Sequence, residues 1–201
     1  MSEFLKKSET KNLGKTETKT LASNEAKKLS MSETRAKKIK HSYKVKDPEN
    51  ALVLKLKDGD VVIEMFEDIA PNHVKRIKEL VRKGFYNGLK FHRVIEGFMA
   101  QTGCPLGTGT GGSGKKLKAE FNKKEHKRGT VSMARAMDPD SADSQFFICF
   151  ADAPWLNGQY TVFGEVVDGM EYVDNIKKGA GYNGTVYNPD TIISIDVIAD
   201  L

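Results

Sequence analysis

The stretch "LVLKLKDGDVVIEMF" at 52–66 constrains this chain more than any other. Leu52, Leu54 and Leu56 share one side, with Lys55 and Lys57 opposite, the period-two signature of a half-buried strand. Asp58–Gly59 is a turn signal, and Val61, Val62 and Ile63 return as a second strand. Similar short runs recur around 91–94, 97–101, 130–134, 145–150, 161–167 and 191–199. Helical spacing is found only twice. Pro71 suits a first helical position, Val74, Ile77 and Val81 follow at helical intervals, and Gly84 suits the end. A second helix is predicted near 169–178, with Asp168 and Glu171 as a capping box and Met170, Val173 and Ile176 facing inward. Eight strand runs with only two helices argue against a parallel sheet, which needs a long crossover between successive strands. The expectation is a mainly β fold: a closed eight-stranded antiparallel barrel, which removes its own edges, capped by two α-helices.

The N-terminal region follows other rules. Residues 1–46 hold 13 Lys/Arg against 5 Glu, while the rest of the chain is at −3 within an overall net charge of +5. The basic character therefore belongs to this segment, and nucleic-acid binding is expected through it alone if anywhere. Leu5, Leu13, Leu21 and Leu29 are eight apart, as are Glu9, Glu17, Glu25 and Glu33. Eight residues overshoot two helical turns by about 80°, so the leucines spiral and form no stripe. One strong apolar residue in eight does not offset the entropy of ordering. Residues 1–50 are read as a disordered, low-complexity basic tail ending in the linker 41–50, and residues 51–201 as the folded domain. The regular glutamates argue against a transit peptide, and no apolar h-region opens the chain. No apolar run approaches the ~20 residues of a membrane span. Cys104 and Cys149 make no disulfide framework and suit a reducing, cytoplasmic location.

The run "GTGTGGSGKK" at 107–116 contains G-x-G-x-x-G and most of G-x-x-x-x-G-K. Both phosphate-binding patterns need a strand before and a helix after. Here Cys104–Pro105 precedes, "KKLKAEFN" follows without a cap, and Lys116 stands where a magnesium-binding Ser or Thr is required. The run is read as a tight, mobile surface loop with glycines at positive φ. His41, His73, His92 and His126 show no metal-ligand spacing, so neither metal nor cofactor is expected. His92 is read as structural, satisfied against backbone. Cys149 is read as a small buried hydrophobe, and Cys104 as an exposed, oxidisable loop thiol.

Four further stretches, "FHRVIEGFMAQTG" (91–103), "GTVSMARA" (129–136), "SQFFICF" (144–150) and "WLNGQYTVFGEV" (155–166), resemble the cyclophilins, the cyclosporin-binding peptidyl-prolyl isomerases. They occur in the family's order, and the similarity, strongest to the single-domain bacterial type, covers 51–201 but not the tail. The glycine loop falls where the family has its Gly-Thr-Gly-Gly-type loop. The resemblance implies the capped eight-stranded barrel and, from it, catalysis of rotation about X-Pro bonds in peptides and unfolded proteins by a monomer. The other reading kept open is a module that binds proline-containing segments with incidental turnover.

The resemblance also implies the site. Arg93 is the catalytic residue. Phe98, Met99, Phe147 and Leu156 form the socket for the proline ring. Gln101 and the backbone of Arg135 bond the substrate backbone, Ala134 and Ala136 line the adjoining groove, and Gln145 and Tyr160 complete the substrate-binding set. Trp155 implies a cyclosporin ligand, held through its indole N–H. Arg135 departs from the asparagine of many relatives and adds a preference for acidic side chains if its guanidinium faces substrate. The loop 137–143 is about one residue longer than the common eukaryotic form. Strand alternation independently predicts that Phe146 and Phe147 face opposite sides, and that Met99 and Gln101 share one. The chemistry needs no bond to break. The barrier is amide resonance of about 18–20 kcal/mol. A donor aimed at the prolyl nitrogen binds the twisted transition state better than the planar amide.

Overall fold

The structure is a computed structural model that describes residues 45–201, so the expected disorder of the tail before Val45 lies outside the described residues. Eight strands form in chain order: β1 (Ala51–Lys55), β2 (Asp60–Met65), β3 (Arg93–Ile95), β4 (Met99–Thr102), β5 (Thr130–Met133), β6 (Phe146–Cys149), β7 (Val162–Asp168) and β8 (Ser194–Val197). All pair antiparallel in one sheet of order β3-β4-β6-β5-β7-β2-β1-β8. β1 and β2 are the predicted hairpin, Lys55 opposite Asp60. Residues 48–50, read from the sequence as linker, form a single 3-10 turn capped by Asp47.

The closed barrel is corrected. Among the described residues no ladder joins the two edge strands, β3 and β8. The seam between them is crossed by the segments that precede them: Gly88 N–H donates to Ile192 O at 2.7 Å, Ile192 N–H to Leu89 O at 2.9 Å, and Phe91 N–H to Asp190 O at 2.9 Å. β3 is only three residues long, and its outer edge is already occupied. Val94 N–H donates to Gly184 O, Gly179 N–H donates to Val94 O, both at 2.8 Å, and Arg93 bridges to Thr185. The loop around 179–185 thus covers the edge that β8 would otherwise need.

Helix α1 (Pro71–Arg82) starts at its proline and ends as expected. Gly84 N–H donates to Val81 O and Phe85 N–H to Leu80 O, with Gly84 at φ +66°, a Schellman ending that a residue with Cβ would strain. The predicted second helix is shorter, α2 spanning Met170–Asp174. Its N-cap is the left-handed Gly169, not a capping box, and among the described residues the Asp168 side chain accepts only the Gly169 N–H.

Two apolar clusters lie on the sheet. The main core takes Leu52, Leu54, Ile63, Ala100, Phe146, Ile148 and Phe163, closed by Val74, Ile77, Leu80 and Val81 of α1 and by Val173 and Ile176. The second holds Met99, Phe147, Cys149, Ala153 and Leu156, with Ile95, Phe98, Ala134 and Tyr160 against it. Alternation separates the two: Phe146 and Ile148 enter the first, Phe147 and Cys149 the second.

Candidate active site

The register of three strands builds the site. β3–β4 pairing sets Arg93 opposite Gln101, and β4–β6 pairing sets Gln101 opposite Phe147, so the three share a row. In the next row Ile95 faces Met99, and Met99 faces Cys149. Side chains of one row project to the same face, so a cation, an amide and an aromatic ring meet over the second cluster.

Arg93 is restrained at two nitrogens. Nε donates to Asn183 O at 3.0 Å, and Nη1 donates to Gln101 Oε1 at 3.2 Å while lying 3.9 Å from Met99 Sδ. Among the described residues nothing accepts from Nη2. A cavity of about 160 Å³ opens beside the guanidinium, lined by Arg93, Phe98, Met99, Gln101, Ala134, Arg135, Phe147, Leu156 and Tyr160. Nine of the twelve residues singled out from the sequence therefore meet in one place. Ala136 and Gln145 line an adjoining hollow of about 310 Å³, together with Gln101, Ala134 and the loop 109–112. Trp155 lines neither. It is 60% exposed at the rim, its ring 5.6 Å from that of Phe98. A larger hollow of about 500 Å³ lies elsewhere, with four carboxylates (Asp47, Glu64, Glu67, Asp68) around Met65 and Phe66, a poor match for an apolar ring.

The Arg135 guanidinium is tied to its own surroundings. Its Nε donates to Gln159 O, its Nη1 to Ala136 O and Met137 O, and its guanidinium lies 4.6 Å over the Tyr160 ring. The suggested preference for acidic side chains therefore has no support from its geometry. Tyr160 in turn stands edge-on to Phe147, ring centroids 5.9 Å apart.

Residues to which the sequence assigned no part in the site complete the surroundings. His126 is buried and stacks on Phe147 at 6.1 Å, held by Ser132 Oγ (2.9 Å) and Asn157 Oδ1 (3.1 Å). Burial holds its imidazole below the ordinary value, against the opposing pull of Asn157. His92 departs from expectation: among the described residues its ring nitrogens find no close hydrogen-bond partner, and burial outweighs the influence of Lys90 and Gln145, so it too is held below the ordinary value. Cys104 also departs, being fully buried rather than exposed. Its Sγ accepts from the N–H groups of Gly109 (3.2 Å) and Gly111 (3.3 Å). Burial alone raises a thiol pKa, but the backbone donors of Gly111, Thr108, Gly109 and Leu106 outweigh it and lower this one. Cys149 behaves as read: burial pushes its thiol up to about 12. The glycine loop is braced where a mobile loop was expected. Its positive-φ glycines are Gly107, Gly109 and Gly114, whereas Gly112 is required for space, since a Cβ there would lie 2.5 Å from Asp143 Oδ2. Nothing local in the sequence marks Asp143 as its partner, 30 residues from Ser113.

The comparisons with known proteins agree with this geometry. Residues 51–197 match the family described as cyclophilin type peptidyl-prolyl cis-trans isomerase/CLD. A protein of Brucella suis named "Probable peptidyl-prolyl cis-trans isomerase" is 58% identical over 167 residues, covering 77% of this chain and 85% of the relative. A peptidyl-prolyl cis-trans isomerase of Helicobacter pylori is 44% identical over 155 residues, 73% of this chain and 94% of the relative. The crystal structure of a Cryptosporidium parvum cyclophilin, obtained in the presence of the dipeptide Ala-Pro, superposes with a TM-score of 0.67 at 31% identity, over 73% of this chain and 98% of that one. Family match, relatives and fold coincide on the segment that carries Arg93 and its cavity, and the chain belongs to the cyclophilin-type peptidyl-prolyl cis-trans isomerases.

Proposed function

We propose that the isomerase reaction of this chain takes place in the cavity beside Arg93, with the guanidinium as the catalytic group. The observation that carries this reading is a cation tethered at Nε and Nη1, with Nη2 unengaged, on the wall of a cavity floored by Met99 and Phe147. A guanidinium stays charged at every working pH and presents its donors in a rigid fork. When the X-Pro bond is half rotated, the prolyl nitrogen becomes pyramidal and regains its lone pair. A donor held against it favours that state over the planar amide. One charge-assisted bond is worth about 2–3 kcal/mol, or roughly two powers of ten in rate. Further acceleration comes from holding the peptide twisted in a site sheltered from water.

The socket is assigned to Phe98, Met99, Phe147 and Leu156, which suit a pyrrolidine ring in size and polarity. Gln101 and the Arg135 backbone are assigned to the peptide backbone of the ligand, and Ala134, Ala136, Gln145 and Tyr160 to the flanking groove. The Cryptosporidium parvum relative was crystallised in the presence of Ala-Pro. We carry that ligand class, proline-containing peptides, over to this cavity, and extend it to unfolded chains as clients. Cyclosporin is assigned to the same site, with Trp155 at its rim. Two free, buried thiols support a reducing, cytoplasmic setting. The basic segment ahead of Val45 is proposed as a unit distinct from the isomerase domain, which takes in the turn at 48–50 as well as 51–201.

Arg93→Ala tests the assignment. Its expected result is loss of at least a hundredfold in kcat/KM on a proline-containing tetrapeptide, with unchanged circular dichroism. A variant as fast as the parent sinks the mechanism. It also favours a peptide-holding role if proline peptides still bind. Cyclosporin is expected to inhibit the parent, and Trp155→Phe to weaken that inhibition.

A further inference from the structure

Arg93 can only donate, so it dictates the polarity of everything behind it. Gln101 must turn its carbonyl oxygen to the guanidinium (3.2 Å), which commits its amide NH2 to Gln145 Oε1 at 3.0 Å. Gln145 then has its own NH2 facing outward and needs acceptors. It finds two, the carbonyls of Gly109 and Gly111, each at 2.8 Å. Reversing either amide would set donor against donor or acceptor against acceptor. The whole series is therefore only as firm as the two loop carbonyls that end it.

Those carbonyls sit in a loop with no helix or strand of its own. Asp143 holds it. One carboxylate oxygen accepts the N–H of Ser113 at 2.7 Å and also the Ser113 hydroxyl; the other accepts the N–H of Gly114 at 3.0 Å. Ser113 Oγ receives a further bond from Arg76 Nη2 of α1 at 2.7 Å, tying the loop to the helix. Asp143 lies two residues before Gln145, so one short segment both fixes the loop and takes up its carbonyls.

We propose that Asp143 is a positioning residue for the isomerase reaction, holding the glycine loop so that the amides of Gln145 and Gln101 present a single polarity to Arg93. It touches none of the reacting atoms, and the inference rests on the assignment of Arg93 above.

The test is a double-mutant cycle in the full-length chain: Asp143→Ala, Gln145→Ala and the pair, with kcat and KM measured on a tetrapeptide. Asp143→Ala is expected to lower kcat about five- to tenfold with KM within twofold, and to lower it less than twofold when Gln145 is already alanine. A merely structural role predicts the same loss in both backgrounds, and that result overturns the proposal. So does an unchanged kcat in a folded Asp143→Ala protein. Should that variant fail to fold, Asp143→Asn and Ser113→Ala enter the same cycle with the same criteria. Failure of the two readings is distinguishable. An active Arg93→Ala sinks the site itself, whereas an inactive Arg93→Ala with no Asp143–Gln145 coupling sinks only this proposal.

Discussion

Replacing Glu120 with alanine removes a cap that helix α1 cannot supply for itself. The residue at its N-cap is Ala70, which offers no side-chain acceptor. Glu120 stands in from far along the chain. Its Oε1 accepts the backbone N–H and side-chain amide of Asn72 (3.1 and 2.7 Å), and its Oε2 accepts the backbone N–H and ring Nδ1 of His73 (3.0 and 2.6 Å). His73 is fully buried, and its other ring nitrogen has no partner among the described residues. Losing a helix cap costs about 1 kcal/mol. Stranding a buried imidazole N–H costs about 1–3 kcal/mol more. The expected destabilisation is thus about 2–4 kcal/mol, which for a domain of this size lowers Tm by roughly 5–15 °C. Glu120 lines neither cavity at Arg93, so kcat/KM on a tetrapeptide should stay within twofold of the parent. The pH dependence gives a second check. Burial raises the Glu120 carboxyl, but its bonds to His73 and Asn72 outweigh this and hold it below the usual carboxylate range. A carboxylate lowered in the folded state stabilises fully above its unfolded pKa of about 4.3, and the effect is lost as pH falls through the folded value. The Tm gap between parent and variant should therefore be full at pH 7 and close towards pH 3, by calorimetry. A shift under about 2 °C at pH 7, or a gap that persists at pH 3, refutes the reasoning.

Three further outcomes are expected. Burial holds His73, His92 and His126 below the ordinary imidazole value. The unfolded chain then binds more protons just below pH 6.5, so stability should fall on acidification from pH 7 to 5, by at most about 1.4 kcal/mol per pH unit per histidine; a flat profile in urea titrations contradicts this. Cys104 and Cys149 are both fully buried, so a thiol reagent should label neither in native buffer and both in guanidinium; rapid labelling of one native thiol contradicts the packing. Gly103 has φ +87°, and a Cβ there would collide with the Ser144 carbonyl, so Gly103→Ala should cost more than about 2 kcal/mol, and a variant as stable as the parent would show that the backbone relaxes there.

What was legible in the sequence was local. Alternation marks a strand because a side chain's face is decided by its own backbone, and so the eight strand runs and the parting of Phe146 from Phe147 could be read directly. The Pro71 start and Gly84 end of α1 were equally local. The second helix misled because Asp168 and Glu171 have capping-box spacing, yet the chain turns at Gly169 first, pressed close against the Asp60 carbonyl of the neighbouring strand. The resemblance of four motifs to a known family carried the family and most of the cavity's lining. Tertiary structure alone decided the rest. The row Arg93–Gln101–Phe147 depends on register across three strands. The open seam between β3 and β8 depends on a loop that takes up the edge of β3 first. The bonds of Glu120 to His73 and of Asp143 to Ser113 join residues 47 and 30 apart. Periodicity belongs to a single strand or helix and is written in the order of its residues. A hydrogen bond between distant residues has no local signature, because it exists only after folding has closed the chain between them.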